Sequence, residues 1–374
     1  MKVLAVTPWF PQGADGAGSF VEDQVRAISR DHDVAVAHLQ AERGGPPLAE
    51  EDGAGWRVLR CSVPVPRVPG GLALRDLLGL LAAVRRLRTS GFSPELVHAH
   101  VMSAGFASLP FARMLGLPLV VSEHFSGLAL GGVRGRARMV ASVAYRSADL
   151  VCPASRSLWT ALEAIAPCAR MQVVPNPVDT ELFRPRARDR ARPESVPTVL
   201  AVTSLVPVKG VDALIEAVGL LAARRGDFRV RVVGDGPRRE QYAGLARAAG
   251  VADRIELLGR LRREEVAREM RAADFLVVPS RWETFSVATA EALCCGLPVL
   301  ATEVGALPEL VDPSSGRLTE PGSPAALASG IDSMLASAAG FDRPAIARRA
   351  ARLWGAQAVA DAWSGIYAEL AASS

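Results

Sequence analysis

Long apolar runs, paired cysteines and lysines are scarce in this chain of 374 residues. Because no uncharged apolar segment approaches the length of about 18 residues that a bilayer requires, the sequence predicts no transmembrane helix. The five cysteines are scattered and lack the C-x-x-C spacing of zinc or redox sites, which favours a reducing compartment. The first residues lack the apolar core and cleavage site of a signal peptide. These absences predict a soluble cytoplasmic protein.

Only two of the 43 basic residues are lysines, Lys2 and Lys209, so a lysine retained in mid-chain weakly favours a functional role. The net charge is only +4, and the basic residues are dispersed apart from short arginine clusters. A nucleic-acid footprint needs a basic stripe with interleaved aromatic residues, so we interpret these clusters as solvated faces. Attraction to an anionic membrane surface or an acidic acceptor stays open.

Apolar runs alternate with longer helical patterns along the whole chain, which is typical of βαβ units around parallel sheets. The chain also exceeds the size at which one hydrophobic core stops growing, so two domains are expected. The predicted strands are 2–7, 33–38, 56–60, 95–99, 118–122, 149–152 and 171–174, then 197–203, 228–233, 254–258, 274–278, 298–302 and 317–319. The predicted fold class is therefore α/β, with two doubly wound, Rossmann-like domains.

A proline-containing segment separates the two halves. Pro175 and Pro177 flank Asn176, and the Arg- and Pro-rich stretch 184–197 has neither a helical nor a strand period. Proline disfavours helix for the residue before it, so an extended connection is expected here. We predict an N-terminal domain over 1–176 and a C-terminal domain over 177–355. The amphipathic segment 356–374 is expected to pack back on the first domain.

Two segments of the first half are candidates for ligand contact. Gly16 and Gly18 lie between a predicted strand and a helix starting near Ser19, where backbone N–H groups favour a phosphate. Their spacing is not that of the dinucleotide fingerprint, and a plain Gly-rich loop is the alternative. His124 follows another strand, at the carboxyl edge where ligands gather in open parallel sheets.

The histidines His98 and His100 end the preceding predicted strand at the same edge. A structural or supporting role is the preferred interpretation for both.

In the second half, the loop from Val202 to Gly210 again joins a strand to a helix, predicted over 211–224. Lys209 would place a point charge beside that helix N-terminus, a combination suited to a pyrophosphate. The next strand ends at Gly234-Asp235-Gly236, a tight turn in which Asp235 could act only as an N-cap.

Residues 279–299 form the most specific segment. Glu283 precedes a helix predicted to start near Ser286 and can meet sugar hydroxyls, while Glu291 in the second turn can reach a ribose diol. The N–H groups of Phe285 to Val287 would point at phosphate oxygens. The alternative is two solvated glutamates flanking a helix start.

These motifs resemble the family-four retaining glycosyltransferases of the GT-B fold, over essentially the whole chain. The likeness rests first on Glu283 and Glu291 with seven residues between them, followed by segments 292–299 and 305–311. Segments 174–179, 207–210, 233–237 and 18–24 support it. The resemblance implies an interdomain cleft that holds a nucleotide-activated sugar, with the acceptor bound by the N-terminal domain and the donor by the C-terminal domain.

The resemblance also assigns roles to matching positions. It implies that Glu283 holds donor-sugar hydroxyls, that Lys209 neutralises the diphosphate and that His124 lies near the donor sugar. The implied catalytic residues are His124, Glu283 and Lys209. The implied donor-binding residues are Gly16, Gly18, Ser204, Lys209, Arg260, Glu283, Thr284, Phe285, Ser286, Val287 and Glu291. Many members carry an arginine where this chain has Ser204, so one expected charge on the diphosphate is missing.

The resemblance implies hexosyl or N-acetylhexosaminyl transfer with retention and without cofactor. No D-x-D pair ends a predicted strand, so metal independence is expected. A UDP-linked donor is favoured over GDP-mannose on family frequency, and a lipid-linked glycan over a small natural product as acceptor, with peripheral membrane contact left open. The alternatives are a nucleotide-sugar epimerase or hydrolase of similar shape, and a non-catalytic two-domain sugar-binding protein.

Overall fold

A computed structural model describes residues 1–11, 19–40, 48–52, 55–62, 71–167, 169–185 and 196–373. The chain divides into two compact units. The first unit is Met1–Pro177 together with Ala356–Ser374, and the second is Val178–Gly355. Each unit is a sheet of mainly parallel strands covered by helices.

The first unit begins with a strand and alternates strands with helices. Its elements in chain order are β1 (Lys2–Thr7), α1 (Ser19–Ile28), β2 (Asp33–Leu39), β3 (Leu48–Asp52), β4 (Arg57–Cys61), α2 (Gly71–Thr89), β5 (Leu96–His100), α3 (Val101–Leu115), β6 (Leu119–Glu123), α4 (Gly135–Ser147), β7 (Leu150–Pro153) and α5 (Arg156–Glu163). Within the described ranges the sheet has seven strands in the order β3-β4-β2-β1-β5-β6-β7, and only the β3–β4 pair is antiparallel.

Two strand assignments differ from the sequence expectation. Residues 171–174 were expected to form a strand, but only Met171 forms a bridge, to Val151. The backbone does run along β7, since Val174 N donates to Pro153 O at 3.1 Å. Pro153 and Pro175 carry no N–H, so a regular ladder cannot continue there. The prediction of a seventh parallel strand at 171–174 is therefore wrong.

The antiparallel edge strand β3 was not predicted. Its sequence, LAEED, is acidic and low in β-branched residues, which hides it from a pattern based on apolar runs. Glu51 accepts from Arg60 Nε of β4 at 2.8 Å, which helps to fix this edge. Charges on an edge strand also discourage pairing with another chain.

The second unit repeats the same alternation. Its elements are β8 (Thr198–Val202), α6 (Val211–Ala222), β9 (Arg229–Val233), α7 (Arg239–Ala248), β10 (Ile255–Gly259), α8 (Arg263–Ala272), β11 (Phe275–Val278), α9 (Val287–Cys294), β12 (Val299–Thr302), α10 (Leu307–Leu310), β13 (Gly316–Thr319), α11 (Pro324–Ser337) and α12 (Arg343–Trp354). The described residues form six strands in the order β10-β9-β8-β11-β12-β13, with every neighbouring pair parallel.

The strand order of each sheet reverses once, as in doubly wound folds. In the second unit the reversal lies between β8 and β11, because the chain first adds strands on one side of β8 and then on the other. Ligands of such sheets bind outside the carboxyl ends of the strands at this topological switch point. The loops after β8 and β11 are therefore the positions to inspect for function.

The last helix, α13 (Ala356–Ala372), belongs to the first unit. Its apolar stripe includes Trp363 and Tyr367, which are fully buried in one cluster with Val3 and Ala5 of β1. An amphipathic helix of this kind gains its stability by covering an apolar surface.

The chain enters and leaves the second unit at neighbouring backbone positions. Val178 N donates to Trp354 O at 2.7 Å, and Val178 forms a parallel bridge with Gly355.

Four cysteines are buried free thiols: Cys61, Cys152, Cys294 and Cys295. Burial raises the pKa of Cys61 and of Cys295 to about 12, so both stay protonated at neutral pH. They therefore act as small apolar packing residues. The fifth, Cys168, lies outside the described residues.

Among the helices that the structure describes, none has the length and apolar character needed to cross a membrane.

Candidate functional site

A lysine and a glutamate meet at the switch point of the second sheet. Lys209 Nζ donates to Glu283 Oε1 at 2.7 Å, and Ser280 Oγ donates to the same oxygen at 2.8 Å. Lys209 follows β8 and Glu283 follows β11, and Glu283 is only 7% exposed. Charge-assisted hydrogen bonds in such a sheltered position are strong and directional. The structure thus brings together two of the residues that the sequence singled out.

Two glycines let the loops around this pair approach one another. Gly210 has φ +67°, and a Cβ there would lie 2.0 Å from Pro279 O. Gly305 has φ +52°, and a Cβ there would lie 2.0 Å from Glu283 O, which also accepts from Ala306 N at 3.0 Å. Both positions need a residue without Cβ because the backbones touch. The place of Glu283 is therefore set from both sides by backbone contact.

The residue before α9 has an unusual backbone conformation. Ser286 has φ +69° and ψ 77°, and its Oγ lies 2.7 Å from Thr289 Oγ1. A positive φ is rare outside glycine and costs about 1–3 kcal/mol. The helix then begins at Val287, one residue later than expected, with Thr284, Ser286 and Val287 half-buried and Phe285 buried. The first N–H groups of a helix are natural anion ligands.

Glu291 lies one turn further along α9 and is buried. Arg263, the first residue of α8, approaches it with Nη2 at 3.8 Å from Glu291 Oε1. Arg260 is an exposed residue directly after β10, and Ser204 is exposed two residues after β8. The predicted site residues Ser204, Arg260 and Glu291 all follow the carboxyl ends of strands in the second sheet, whereas Arg263 was not predicted.

The turn after β9 contains Asp235, which the sequence suggested as the N-cap of the next helix. Asp235 Oδ1 accepts from Gly236 N at 2.8 Å, and Asp235 O accepts from Leu205 N at 3.0 Å. The N-cap position of the next helix, α7, is Arg238, whose side chain makes no capping hydrogen bond. The interpretation of Asp235 as an N-cap is therefore wrong, and Asp235 instead joins its own turn to the loop after β8.

In the first unit, His124 follows β6 directly and is buried against Phe20, with ring centroids 4.9 Å apart. Burial lowers the pKa of His124 to about 3. The imidazole is therefore neutral at physiological pH and can exchange hydrogen bonds without carrying charge. Gly16 and Gly18, the predicted phosphate loop of this unit, lie outside the described residues.

The neighbouring Glu123 was not expected to matter, yet it organises the backbone around His124. Its Oε1 accepts from the N–H groups of His124 and Phe125, both at 2.8 Å, and its Oε2 accepts from Met102 N at 2.9 Å and Tyr145 Oη at 2.6 Å. Burial raises the pKa of Glu123, and these four hydrogen bonds oppose the shift. The sequence signal was a carboxylate at the end of an otherwise apolar strand, which is costly unless fully bonded.

His98 and His100 stack in a buried row with His124. The ring centroids of His98 and His100 lie 4.5 Å apart, and those of His100 and His124 lie 5.8 Å apart. His98 bonds Tyr367 Oη through Nδ1 and Ser122 Oγ through Nε2, both at 2.7 Å. Neither ring nitrogen of His100 has a hydrogen-bond partner among the described residues. His98 thus links α13 to the row that ends at His124.

The three stacked histidines predict a stability that falls in mild acid. Burial lowers the pKa of His98 to about 3 and that of His100 well below its ordinary 6.5. Between about pH 6.5 and 3 the unfolded chain binds protons that the folded chain excludes, so the free energy of unfolding falls as the pH falls. The expected loss is on the order of 1 kcal/mol per histidine for each pH unit. Melting temperatures measured from pH 7 to pH 4.5 check this.

The matched variant for this prediction is His100→Phe, which keeps an aromatic ring in the row. Its melting temperature should fall less steeply with acid than that of the wild type. Equal pH dependence of the two proteins would contradict the assignment of acid sensitivity to this row.

Comparison with known proteins identifies the class. Residues 14–182 match the family described as Glycosyltransferase Family 4, and residues 184–354 match Glycosyl transferases group 1. The chain is a glycosyltransferase. It belongs to the group 1 glycosyltransferases, and its two Rossmann-like sheets are those of the GT-B fold.

Two curated relatives are similar over most of their length. The chain is 31% identical over 367 residues to 2-deoxystreptamine N-acetyl-D-glucosaminyltransferase of Streptomyces fradiae, covering 86% of this chain and 85% of the relative. It is 32% identical over 357 residues to D-inositol 3-phosphate glycosyltransferase of Acidothermus cellulolyticus, covering 86% and 78%. A similar solved structure is that of Anabaena HepE in complex with UDP and glucose, with a TM-score of 0.72, 20% identity and coverage of 99% and 100%.

Proposed function

We propose that this glycosyltransferase moves a hexosyl or N-acetylhexosaminyl group from a nucleoside diphosphate sugar to a hydroxyl acceptor, with retention and without a metal ion. The observation that carries the proposal is the Lys209–Glu283 pair beside the N-terminus of α9. A diphosphate sugar needs a cation and N–H groups for its phosphates and a carboxylate for its hydroxyls. All three occur after β8 and β11.

Donor binding would exchange one set of contacts for another. In the structure Lys209 and Glu283 bond each other. A diphosphate arriving at α9 would take over Lys209, and a sugar hydroxyl would donate to the Glu283 oxygen that Lys209 vacates. Ser280 Oγ, which bonds the same carboxylate oxygen of Glu283, would stay in place during this exchange, so that the carboxylate would keep a partner. Before binding, Lys209 and Glu283 therefore have each other as partners. The ligand that can replace both partners at once is one that carries a phosphate for Lys209 and a sugar hydroxyl for Glu283.

The nucleoside end of the donor is assigned to neighbouring residues of the same unit. Glu291 would accept hydrogen bonds from the ribose diol, and Arg260 would lie beside the base. Ser204 is exposed and could donate only a neutral hydrogen bond to a phosphate. A UDP-linked donor is favoured because the structurally similar HepE is recorded with UDP and glucose.

The chemical step needs little from the protein besides position and electrostatics. The acceptor oxygen forms a bond to the anomeric carbon while the bond from that carbon to the phosphate oxygen breaks. The acceptor proton passes to the departing phosphate on the same face, which retains the configuration. Lys209 and the α9 N–H groups would stabilise the charge that develops on the phosphate. No covalent enzyme intermediate of the kind used by retaining glycosidases is invoked.

His124 is assigned to the transferred sugar. Its imidazole is neutral at physiological pH, so it would hydrogen-bond a sugar hydroxyl rather than supply charge. Glu123 fixes the backbone N–H groups of His124 and Phe125. Replacing His124 by Ala should therefore lower turnover more than donor affinity.

The acceptor is proposed to be a small cyclic polyol. Both relatives are named for cyclitols, 2-deoxystreptamine and D-inositol 3-phosphate. The names thus favour a small hydroxylated ring over the lipid-linked glycan that the sequence suggested first.

Membrane contact is proposed for a groove between α2 and α3. This groove, of about 390 Å³, is lined by Leu81, Arg85, Arg88 and the exposed Met114 among others, and its described lining contains no acidic residue. Arginines beside exposed apolar side chains suit an anionic lipid surface, since each charge contributes about 1 kcal/mol of binding free energy.

Sedimentation with anionic vesicles should recover the wild type but not the double variant Arg85→Gln/Arg88→Gln. Equal recovery with neutral vesicles would remove the proposal.

Product analysis tests the function as a whole. The protein is incubated with UDP-glucose, UDP-N-acetylglucosamine or GDP-mannose, with and without a cyclitol acceptor, in EDTA. We expect one donor to yield a glycosylated cyclitol whose anomeric coupling in NMR matches that of the donor. An inverted product, or activity that EDTA abolishes and a divalent ion restores, would contradict the mechanism. Hydrolysis or epimerisation without any transfer would overturn the proposed function.

A further inference from the structure

Helix α8 starts with a cation where helix electrostatics disfavour one. Arg263 is its first residue, while the positive end of a helix dipole favours acidic side chains such as those of Glu264 and Glu265. Glu265 already caps the helix, since its Oε2 accepts from Arg262 N at 2.9 Å. The placement of Arg263 is therefore not explained by the stability of α8.

Arg263 instead contacts Phe183 and Glu291, which lie outside its own helix. Its guanidinium carbon lies 5.6 Å from the ring centroid of Phe183, which is buried. Its Nη2 lies 3.8 Å from Glu291 Oε1 on α9. Stacking on an aromatic face restricts the orientation of the planar guanidinium group. A side chain held in this way offers Glu291 a charge at a fixed position.

The segment that carries Phe183 is itself tied to α8. Arg271, two turns beyond Arg263, donates through Nη1 to Leu182 O at 3.0 Å. Phe183 N donates to Asp179 O at 2.8 Å, which closes the turn in which it lies. Phe183 is thus a rigid support for Arg263.

We propose that Arg263 is a positioning residue that orients Glu291 for the two ribose hydroxyls of the donor. The inference rests on the proposed function. A carboxylate can accept hydrogen bonds from two neighbouring hydroxyls only when its plane faces them. The side chain of a glutamate on a helix can adopt several rotamers, and not all of them have this orientation. The ion pair with Arg263 limits that choice before the donor arrives, which lowers the entropy lost on binding.

The adjacent arginine supplies a matched control. Arg262 is 76% exposed on its side chain and pairs with Glu265 of its own helix, whereas the Arg263 side chain is 34% exposed. Arg262→Gln and Arg263→Gln therefore remove the same charge one residue apart. Only the second removes the contact with Glu291.

The test compares calorimetric binding of UDP and of 2′,3′-dideoxyuridine diphosphate, which lacks both hydroxyls, with GDP and its dideoxy form measured in parallel. We expect Arg263→Gln to bind the ribose-containing ligand about tenfold more weakly, the size of one hydrogen bond to a charged group. Its affinity for the dideoxy ligand should equal that of the wild type. Arg262→Gln should match the wild type for both ligands, and Arg263→Lys should lie between.

Each other outcome overturns the inference in a distinguishable way. Equal weakening of both ligands by Arg263→Gln, at an unchanged melting temperature, means that the residue acts on the phosphates or base. An unchanged affinity for both means that it has no role in binding. Failure of the wild type to bind UDP or GDP at all removes the proposed function and this inference together.

Discussion

Lys209→Ala is expected to lower kcat/KM for sugar transfer by a factor of about 100 to 1000, the loss typical when one preorganised donor to a developing oxyanion is removed. The variant also loses the 2.7 Å bond that holds Glu283 before the donor arrives. The effect should appear both in the affinity for UDP and in turnover, because the phosphate is charged in the ground state and gains charge as it departs. Calorimetry and initial rates separate the two contributions.

The second lysine provides the control. Lys2 lies on the first unit, where its Nζ donates to Gly91 O at 3.0 Å in an exposed position. Lys2→Ala removes the same charge and should leave kcat/KM unchanged within about twofold, as surface substitutions usually do. If the two variants lose activity equally, net charge rather than the position of Lys209 matters, and the diphosphate assignment fails.

Gly305→Ala is expected to cost about 100-fold in turnover, although residue 305 carries no side chain that could touch a substrate. The new methyl group would lie 2.0 Å from Glu283 O, so the loop that carries Glu283 must move. A displacement of about 1 Å at a reacting group can cost 100-fold in rate. The melting temperature should fall as well, since alanine at φ +52° is strained by about 1 kcal/mol or more.

Gly322→Ala separates the two causes. Gly322 also has a positive φ, +72°, but a Cβ there meets no atom within 4 Å. The Gly322→Ala variant should have the same kind of backbone strain and a lower melting temperature, but its turnover should equal that of the wild type. Equal rates for Gly305→Ala and the wild type would show that the position of Glu283 tolerates movement, and its role with the sugar would need revision.

The sequence predicts much of the fold because parallel strands are buried on both faces. Such strands are short, largely apolar runs that can be recognised in the sequence alone, as in Thr198–Val202 and Phe275–Val278. The edge strand at Leu48–Asp52 is partly polar and escapes that pattern. The stretch at 171–174 has a strand-like composition, but prolines on both partners interrupt its ladder.

The sequence predicts those features of the candidate site that follow from the direction of the strands. Lys209 and Glu283 could be placed near one another because parallel strands end at a common edge. Their mutual hydrogen bond, the contact of Arg263 with Glu291 and the four bonds of Glu123 depend on rotamers and on helix packing. No local sequence pattern encodes those distances, so they emerge only from the folded chain.

The hydrogen bond between Val178 and Trp354 has a consequence for how such chains can be recombined. A segment whose first and last residues lie next to each other can be inserted as a domain into another chain, because the host chain needs to be interrupted at only one place. Residues 178–355 could thus be transplanted as one piece into a homologous host, carrying Lys209, Glu283, Arg263 and Glu291 together. Under the proposed function, such a graft is expected to bring its own nucleotide preference to the host, because the residues assigned to the diphosphate and the ribose move with it, while the host keeps its own N-terminal half.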